Sequence, residues 1–164
     1  MISHVCEEAW EKLGNGGFVS SARWPEAEEG LVDKQAEAQE DYLDGVVADA
    51  RKVMEFAKIK PTRAVFVTAS QTKCVEFAEA IRQESIDAAV KKISDENLRK
   101  MVGKNFFKFR ELGFVEFDEH ALLAASIAFL SKQIGAPVTV EKEEDSAEGK
   151  KTRAMPLKPA IILK

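Results

Sequence analysis

RAVFVT, Arg63 to Thr68, followed almost at once by SQTKCVEFAEAI, Ser70 to Ile81, is the passage on which the fold class turns. The first run is β-branched and aromatic, the composition of a short buried strand. In the second, Cys74, Phe77, Ala78 and Ile81 recur at helical spacing behind Ser70, a good N-cap residue. A strand that runs directly into a helix begins a βα unit. Downstream, Ile86, Ala89, Val90 and Ile93 give a short helix, and Ser94 restarts the chain with Asp95 and Glu96 in a first turn. Leu98, Met101, Val102, Asn105 and Phe109 then share one helical face up to a break at Gly113. Asp118 caps another helix, with Leu123, Ile127, Leu130 and Ile134 on its apolar stripe, which Gly135 and Pro137 end. Val138 to Glu141 and Ala160 to Leu163 read as two closing strands on either side of a polar loop, KEEDSAEGKKTR. Residues 61–164 are therefore expected to form an α+β unit with about three strands and several helices.

Upstream of Pro61 the pattern changes. The residue before a proline is biased out of helix, so Pro61 marks a domain boundary. From Asp33, a candidate N-cap, to about Lys58, residues Leu43, Val46, Val47, Ala50, Val53, Met54 and Ala57 recur at steps of three and four. The other side of this long helix is acidic early on, with Glu37, Glu40, Asp41 and Asp44. Val5, Ala9, Trp10 and Leu13 mark a shorter helix over residues 4–13, which GNGG at 14–17 stops. Residues 1–60 thus read as a helical unit.

Composition narrows the function classes. With 164 residues, 45% hydrophobic and 32% charged, the chain has the makeup of a folded domain. Its longest apolar run, Ala121 to Leu130, is far short of the roughly 20 residues that cross a bilayer. Cys6 and Cys74 form no C-x-x-C pair, which argues against a disulfide framework or a zinc knuckle. The N-terminus carries acids where a secretory signal would be basic and then apolar, so a cytoplasmic location is expected.

Charge is uneven. Residues 1–60 hold 7 Lys and Arg against 13 Asp and Glu, whereas residues 61–164 hold 17 against 15. Val90 to Arg110 alone carries Lys91, Lys92, Arg99, Lys100, Lys104, Lys108 and Arg110 against only Asp95 and Glu96. Lys100, Lys104 and Lys108 fall at i, i+4 and i+8 on a solvent face, where they could follow an RNA backbone or simply solubilise the helix. Phe106, Phe107 and Phe109 could stack on bases or pack in the core; Phe106 and Phe107 cannot both lie on the core stripe.

Other chemistry is thinly represented. His4 and His120 have no ligating neighbour at metal spacing, so no metal site is expected. Cys74 sits among apolar positions, as a buried inert thiol would. The TASQT turn, Thr68 to Thr72, contains no glycine with which to cradle phosphates, although a small-ligand site near Ser70 and Thr72 stays open as an alternative.

The residues that point furthest are at the two ends. SHVCEEAWEKLG, Ser3 to Gly14, followed by FVSSARWPE, Phe18 to Glu26, resembles the end of the anticodon-binding helical bundle of class I synthetases for branched aliphatic amino acids. MPLKPAIILK, Met155 to Lys164, resembles the closing strand of leucyl-tRNA synthetases of the archaeal and eukaryotic cytosolic type. The resemblance implies a C-terminal fragment: the tail of the bundle, residues 1–60, plus the C-terminal domain, residues 61–164. It implies contact with tRNA(Leu) at its corner and long variable arm, through Lys100, Lys104, Lys108 and Arg110, and through the extreme C-terminus, Leu163 and Lys164. Relatives can end in an acid where this chain ends in Lys164.

Neither a HIGH-type nor a KMSKS-type motif occurs, so aminoacylation, with its ATP and magnesium, is expected of other domains of the parent enzyme, and no cofactor is expected here. The remaining synthetase domains are then the second expected partner. Neither a membrane nor DNA is expected as a partner, and the fragment is expected to be monomeric. The rival from another class is a protein-docking module without RNA affinity, using apolar surface around Trp10, Val46 and Val53.

Overall fold

The computed structural model describes residues 3–24, 26, 28–111, 113–149 and 151–164. Pro25, part of the Trp-Pro motif, lies outside the described residues. Two compact units emerge, residues 1–33 and 34–164.

In the first unit, α1 (Ser3–Lys12) is followed by a 3₁₀ turn at Val19–Ser21. The Glu7 carboxylate accepts from the backbone N–H groups of Val19 (2.7 Å) and Ser20 (3.2 Å), which folds the chain back on the helix. Gly14, at φ +81°, supplies the left-handed residue that ends the helix. Trp10 is half-buried and its Nε1 donates to the carbonyl of Gly16. Val5 and Leu13, expected on one packed side, are exposed.

The second unit contains α2 (Lys34–Ala57), β1 (Ala64–Thr68), α3 (Gln71–Ile81), α4 (Ile86–Lys91), α5 (Glu96–Glu111), α6 (Glu119–Ala125), α7 (Ile127–Ile134), β2 (Val138–Lys142) and β3 (Ala160–Leu163). This is an α+β fold, as the strand-then-helix reading anticipates. Its sheet has the order β2-β1-β3, with β1 parallel to β2 and antiparallel to β3. A central strand covered on both faces must be apolar throughout. All five residues of β1 are buried accordingly.

Alternation along β1 divides the core. Ala64 and Phe66 pack with Tyr42, Val46, Val47 and Ala50 of α2 and with Leu123, Leu130 and Ile134 of α6 and α7. Val65 and Val67 face the opposite side, with Ala154, Ala160 and Ile162. Phe77, Ile93, Leu98, Val102 and Phe106 hold α3, α4 and α5 together in a further cluster, closed by Met155. Because α2 shares its core with β1, the compact units divide after Asp33, whereas the sequence pattern changes at Pro61. Val46, expected on an exposed docking surface, is only 3% exposed for the same reason.

Capping follows the sequence closely. Ser70 accepts from Lys73 N and Asp118 from Ala121 N, as expected. At α5 the cap is Asp95 rather than Ser94: Asp95 Oδ1 accepts from Leu98 N at 2.8 Å, while Ser94 is bound by the Glu76 carboxylate. The single helix expected from Asp118 to Ile134 is broken at Ser126 into α6 and α7. Gly135, at φ +76°, then terminates α7.

Gly45 lies inside α2, and a Cβ built there meets no atom within 4 Å. A glycine in a helix interior is destabilising relative to alanine. Gly45→Ala is expected to raise stability by about 1 kcal/mol, read as a higher midpoint in urea unfolding.

Candidate nucleic-acid interface

The helix that carries the basic residues is positioned by a buried charge. Lys73, on the inner face of α3, is 7% exposed. Its ammonium donates to Glu143 Oε1 at 2.8 Å and to the carbonyls of Ala154 (3.1 Å) and Thr152 (3.3 Å), and lies 3.6 Å from Asp95 Oδ2. Asp95 is also the cap of α5, so one ammonium links α3, the chain after β2, the segment before β3 and the start of the basic helix. A buried ammonium needs such a full set of acceptors. Arg99 completes the helix entry by donating twice to the carbonyl of Ile93.

Along α5, Leu98, Val102 and Phe106 face the core. Lys100, Lys104 and Lys108 are exposed on the other side, as their spacing requires. Lys100 forms an exposed pair with Glu96 at 2.6 Å, a contact that water and salt weaken. Arg110 turns back: Nη1 donates to the Glu84 carbonyl and its guanidinium carbon is 5.6 Å from the Phe106 ring centroid. Lys108 lines a cavity of about 540 Å³ with Asp41, Gly45, Asp49 and Lys52 of α2 and with Pro159 and Ile161. Lys91 and Lys92, counted in the basic segment but not among the expected binding residues, are exposed at the end of α4, beside α5.

The C-terminal pair lies elsewhere in the unit. Leu163 is half-buried at the end of β3, opposite Ala64, and packs with the α2 side of the core. The Lys164 carbonyl accepts from Thr62 N and Arg63 N, and its ammonium reaches Glu148 at 2.5 Å. Both residues are thus held in place, with Lys164 exposed and Leu163 showing only part of its side chain.

A second concavity, of about 660 Å³, opens at the carboxyl ends of β1 and β2. Thr68, Gln71 and His120 line it, whereas Ser70 is used in capping and Thr72 is not part of it. Its rim carries Glu116, Asp118, Glu119, Glu144 and Asp145 against Lys142 and His120, a balance that repels phosphate. Burial, and then the nearby Glu119 and Glu144, pushes the Cys74 thiol up to about 11, which keeps it protonated. Burial also raises the Glu119 carboxyl above its ordinary value of 4.5, against the lowering effect of the Leu157 N–H that it accepts at 2.8 Å. Tyr42 Oη and Glu119 Oε2 are both buried and close enough to perturb each other, but neither meets the geometry of a full hydrogen bond. Among the described residues, no three His, Cys, Asp or Glu side chains are placed to hold a metal ion.

Residues 1–68 match the family model for the anticodon-binding domain of tRNA ligase. Over 98% of its length the chain is 37% identical to the leucine–tRNA ligase of Pyrococcus abyssi, of which it covers 17%. The same enzyme of Pyrococcus furiosus is 34% identical and that of Methanocaldococcus jannaschii 32%, each over 98% of the chain. The chain corresponds to a C-terminal segment of archaeal-type leucyl-tRNA synthetases. It spans about a sixth of the length of these relatives. The anticodon-domain match ends at the last residue of β1, so α5 and β3 lie beyond it.

Two outcomes are expected from the buried charges. Lys73→Ala strands the Glu143 carboxylate and should cost about 3 kcal/mol or more in urea unfolding, while Lys73→Met combined with Glu143→Gln should cost less. Glu119 has a raised folded pKa, so its contribution is fully present below pH 4.5 and is lost as pH rises through the folded value. Glu119→Gln should therefore gain stability relative to the parent as pH rises from 4 to 7, seen by unfolding at each pH.

Proposed function

We propose that this segment is a noncatalytic tRNA-binding part of a leucine–tRNA ligase. Its role is to contact tRNA(Leu), at the corner and long variable arm, so that the acceptor end is oriented for leucylation in domains elsewhere in the parent enzyme. The observation that carries this reading is the similarity to leucine–tRNA ligases over nearly the whole chain. It is supported by the exposed lysines of α5, the chemistry that tracks phosphates by charge and shape. The binding residues are Lys100, Lys104, Lys108, Arg110, Leu163 and Lys164. By descent, we assign residues 1–60 to the anticodon-binding bundle and 61–164 to the C-terminal domain, although α2 packs with the latter.

ATP and magnesium do not fit this segment. Its strand-to-helix turn has no glycine and the neighbouring cavity is rimmed with acids, which disfavours the phosphates of ATP, and we assign ATP with its magnesium to the parent's other domains. Those domains are the second partner, the location is cytoplasmic and the segment is monomeric. Among the described residues no helix is long and apolar enough to cross a membrane.

A second reading, docking to protein without RNA affinity, is favoured by Phe56 of α2, 91% exposed one turn from the partly exposed Val53. One titration separates the two. Against a leucine tRNA and a tRNA with a short variable arm, each at two salt concentrations, the segment should prefer the long arm and bind more weakly at high salt. Lys100→Ala with Lys104→Ala should weaken binding and lower the salt slope by about 2. Unchanged affinity and slope would remove α5 from the interface, and absence of RNA binding would favour docking.

A further inference from the structure

Phe107 is the one large hydrophobic side chain that α5 exposes among its described residues, at 69%. It does not sit at the edge of an apolar patch. At 100° per residue it projects between Lys100 and Gly103, with Lys104 and Glu111 beyond the lysine and Arg110 three residues on. Its ring meets that of the buried Phe106 edge to face, with centroids 5.6 Å apart and planes at 74°. That contact restrains the tilt of the outer ring, so the exposed surface is held rather than free to sweep the helix. The guanidinium of Arg110 packs on the same Phe106 ring, bringing a planar cation to this side of α5.

Gly103 removes the obstacle that would normally stand in front. A helical aromatic leans toward the preceding turn, over positions i−3 and i−4. Here these are Lys104 and Gly103, and only the lysine has a side chain. The nearest atom to a Cβ built at Gly103 would be Val90 Cγ2, at 3.9 Å, so nothing else crowds that turn. The result is an exposed, flat apolar ring flanked by Lys100, which pairs with Glu96, and by Lys104, with Glu111 one turn on.

Resting on the tRNA-binding reading above, we propose that Phe107 is a stacking residue for a tRNA nucleotide whose base lies outside its helical stack, with Lys100 and Lys104 taking the flanking phosphates. Charge selects RNA over protein as the occupant. A protein interface centres on contiguous apolar area, and a lone ring among lysines does not supply it. A single base needs no more than one π-face and a nearby cation.

The test uses the 164-residue chain and four variants: Phe107→Ala, Phe107→Leu, Phe107→Trp, and Lys100→Ala with Lys104→Ala. Each is titrated with a leucine tRNA and with a fully paired RNA duplex across salt concentrations, and thermal melting verifies that the exposed position leaves the fold intact. Phe107→Ala and Phe107→Leu should each weaken tRNA binding about tenfold with an unchanged salt slope. Phe107→Trp should retain binding, and duplex affinity should not respond to any change at Phe107. If Phe107→Ala binds tRNA like the parent while the lysine pair weakens it, stacking is overturned and the tRNA-binding reading stands. Full retention in Phe107→Leu would also overturn stacking, in favour of plain apolar contact. If tRNA binds but neither the ring nor the lysines matter, stacking is overturned and α5 leaves the interface; if no RNA binds, both readings fall together.

Discussion

The ammonium of Lys73 is the point at which the sheet and the helical layer of the larger unit are tied together. Through Glu143 it holds the end of β2, through the carbonyls of Thr152 and Ala154 the approach to β3, and through Asp95 the first turn of α5. A buried ion pair of this kind gives little net stability over an apolar replacement, because desolvation offsets most of the Coulomb attraction. What it does do is gather four oxygens from three other chain segments around one nitrogen on α3. The direction in which α5 presents its lysines is a consequence of that arrangement.

The two sides of the unit differ in electrostatic character as a result. The carboxyl ends of β1 and β2, where α/β proteins commonly bind small ligands, are disfavoured for phosphate by the carboxylates of Glu116, Asp118, Glu144 and Asp145. The exposed face of α5 carries the positive charge instead. A chain with a net charge of −4 can therefore have a locally basic surface, and net charge alone misleads about its partners.

Much of this was legible in the sequence because it is local. RAVFVT and the caps Ser70 and Asp118 depend on neighbouring residues and behave as expected. The lysine face of α5 follows from helical geometry alone. Asp95 displaced Ser94 as the cap because it can also serve Lys73, a residue 22 positions earlier, which no local pattern contains. The signal for Lys73 was present in its place on the same stripe as Phe77 and Ala80, but its acceptors come from residues 143 to 154. Likewise, parity showed that Phe106 and Phe107 must diverge, and only the packing of α3 and α4 chose Phe106 for the interior. The break at Ser126 and the burial of α2 against β1 are tertiary effects with no sequence marker.

β1 is the middle of the sheet, yet its two partners are far away in the chain: Ala64 pairs with Val138 on one edge and Leu163 on the other. Five helices must form or be held in abeyance before either edge is satisfied. Closing loops of that length precedes any reward from strand pairing, so assembly of the sheet is the slow event in folding, and the helical cluster of α3, α4 and α5 is free to organise first. During synthesis, then, α3, α4 and α5 can begin to pack while β1 still waits, unpaired, for β2 and β3, and the acceptors of Lys73 that fix the direction of α5 arrive between those two strands.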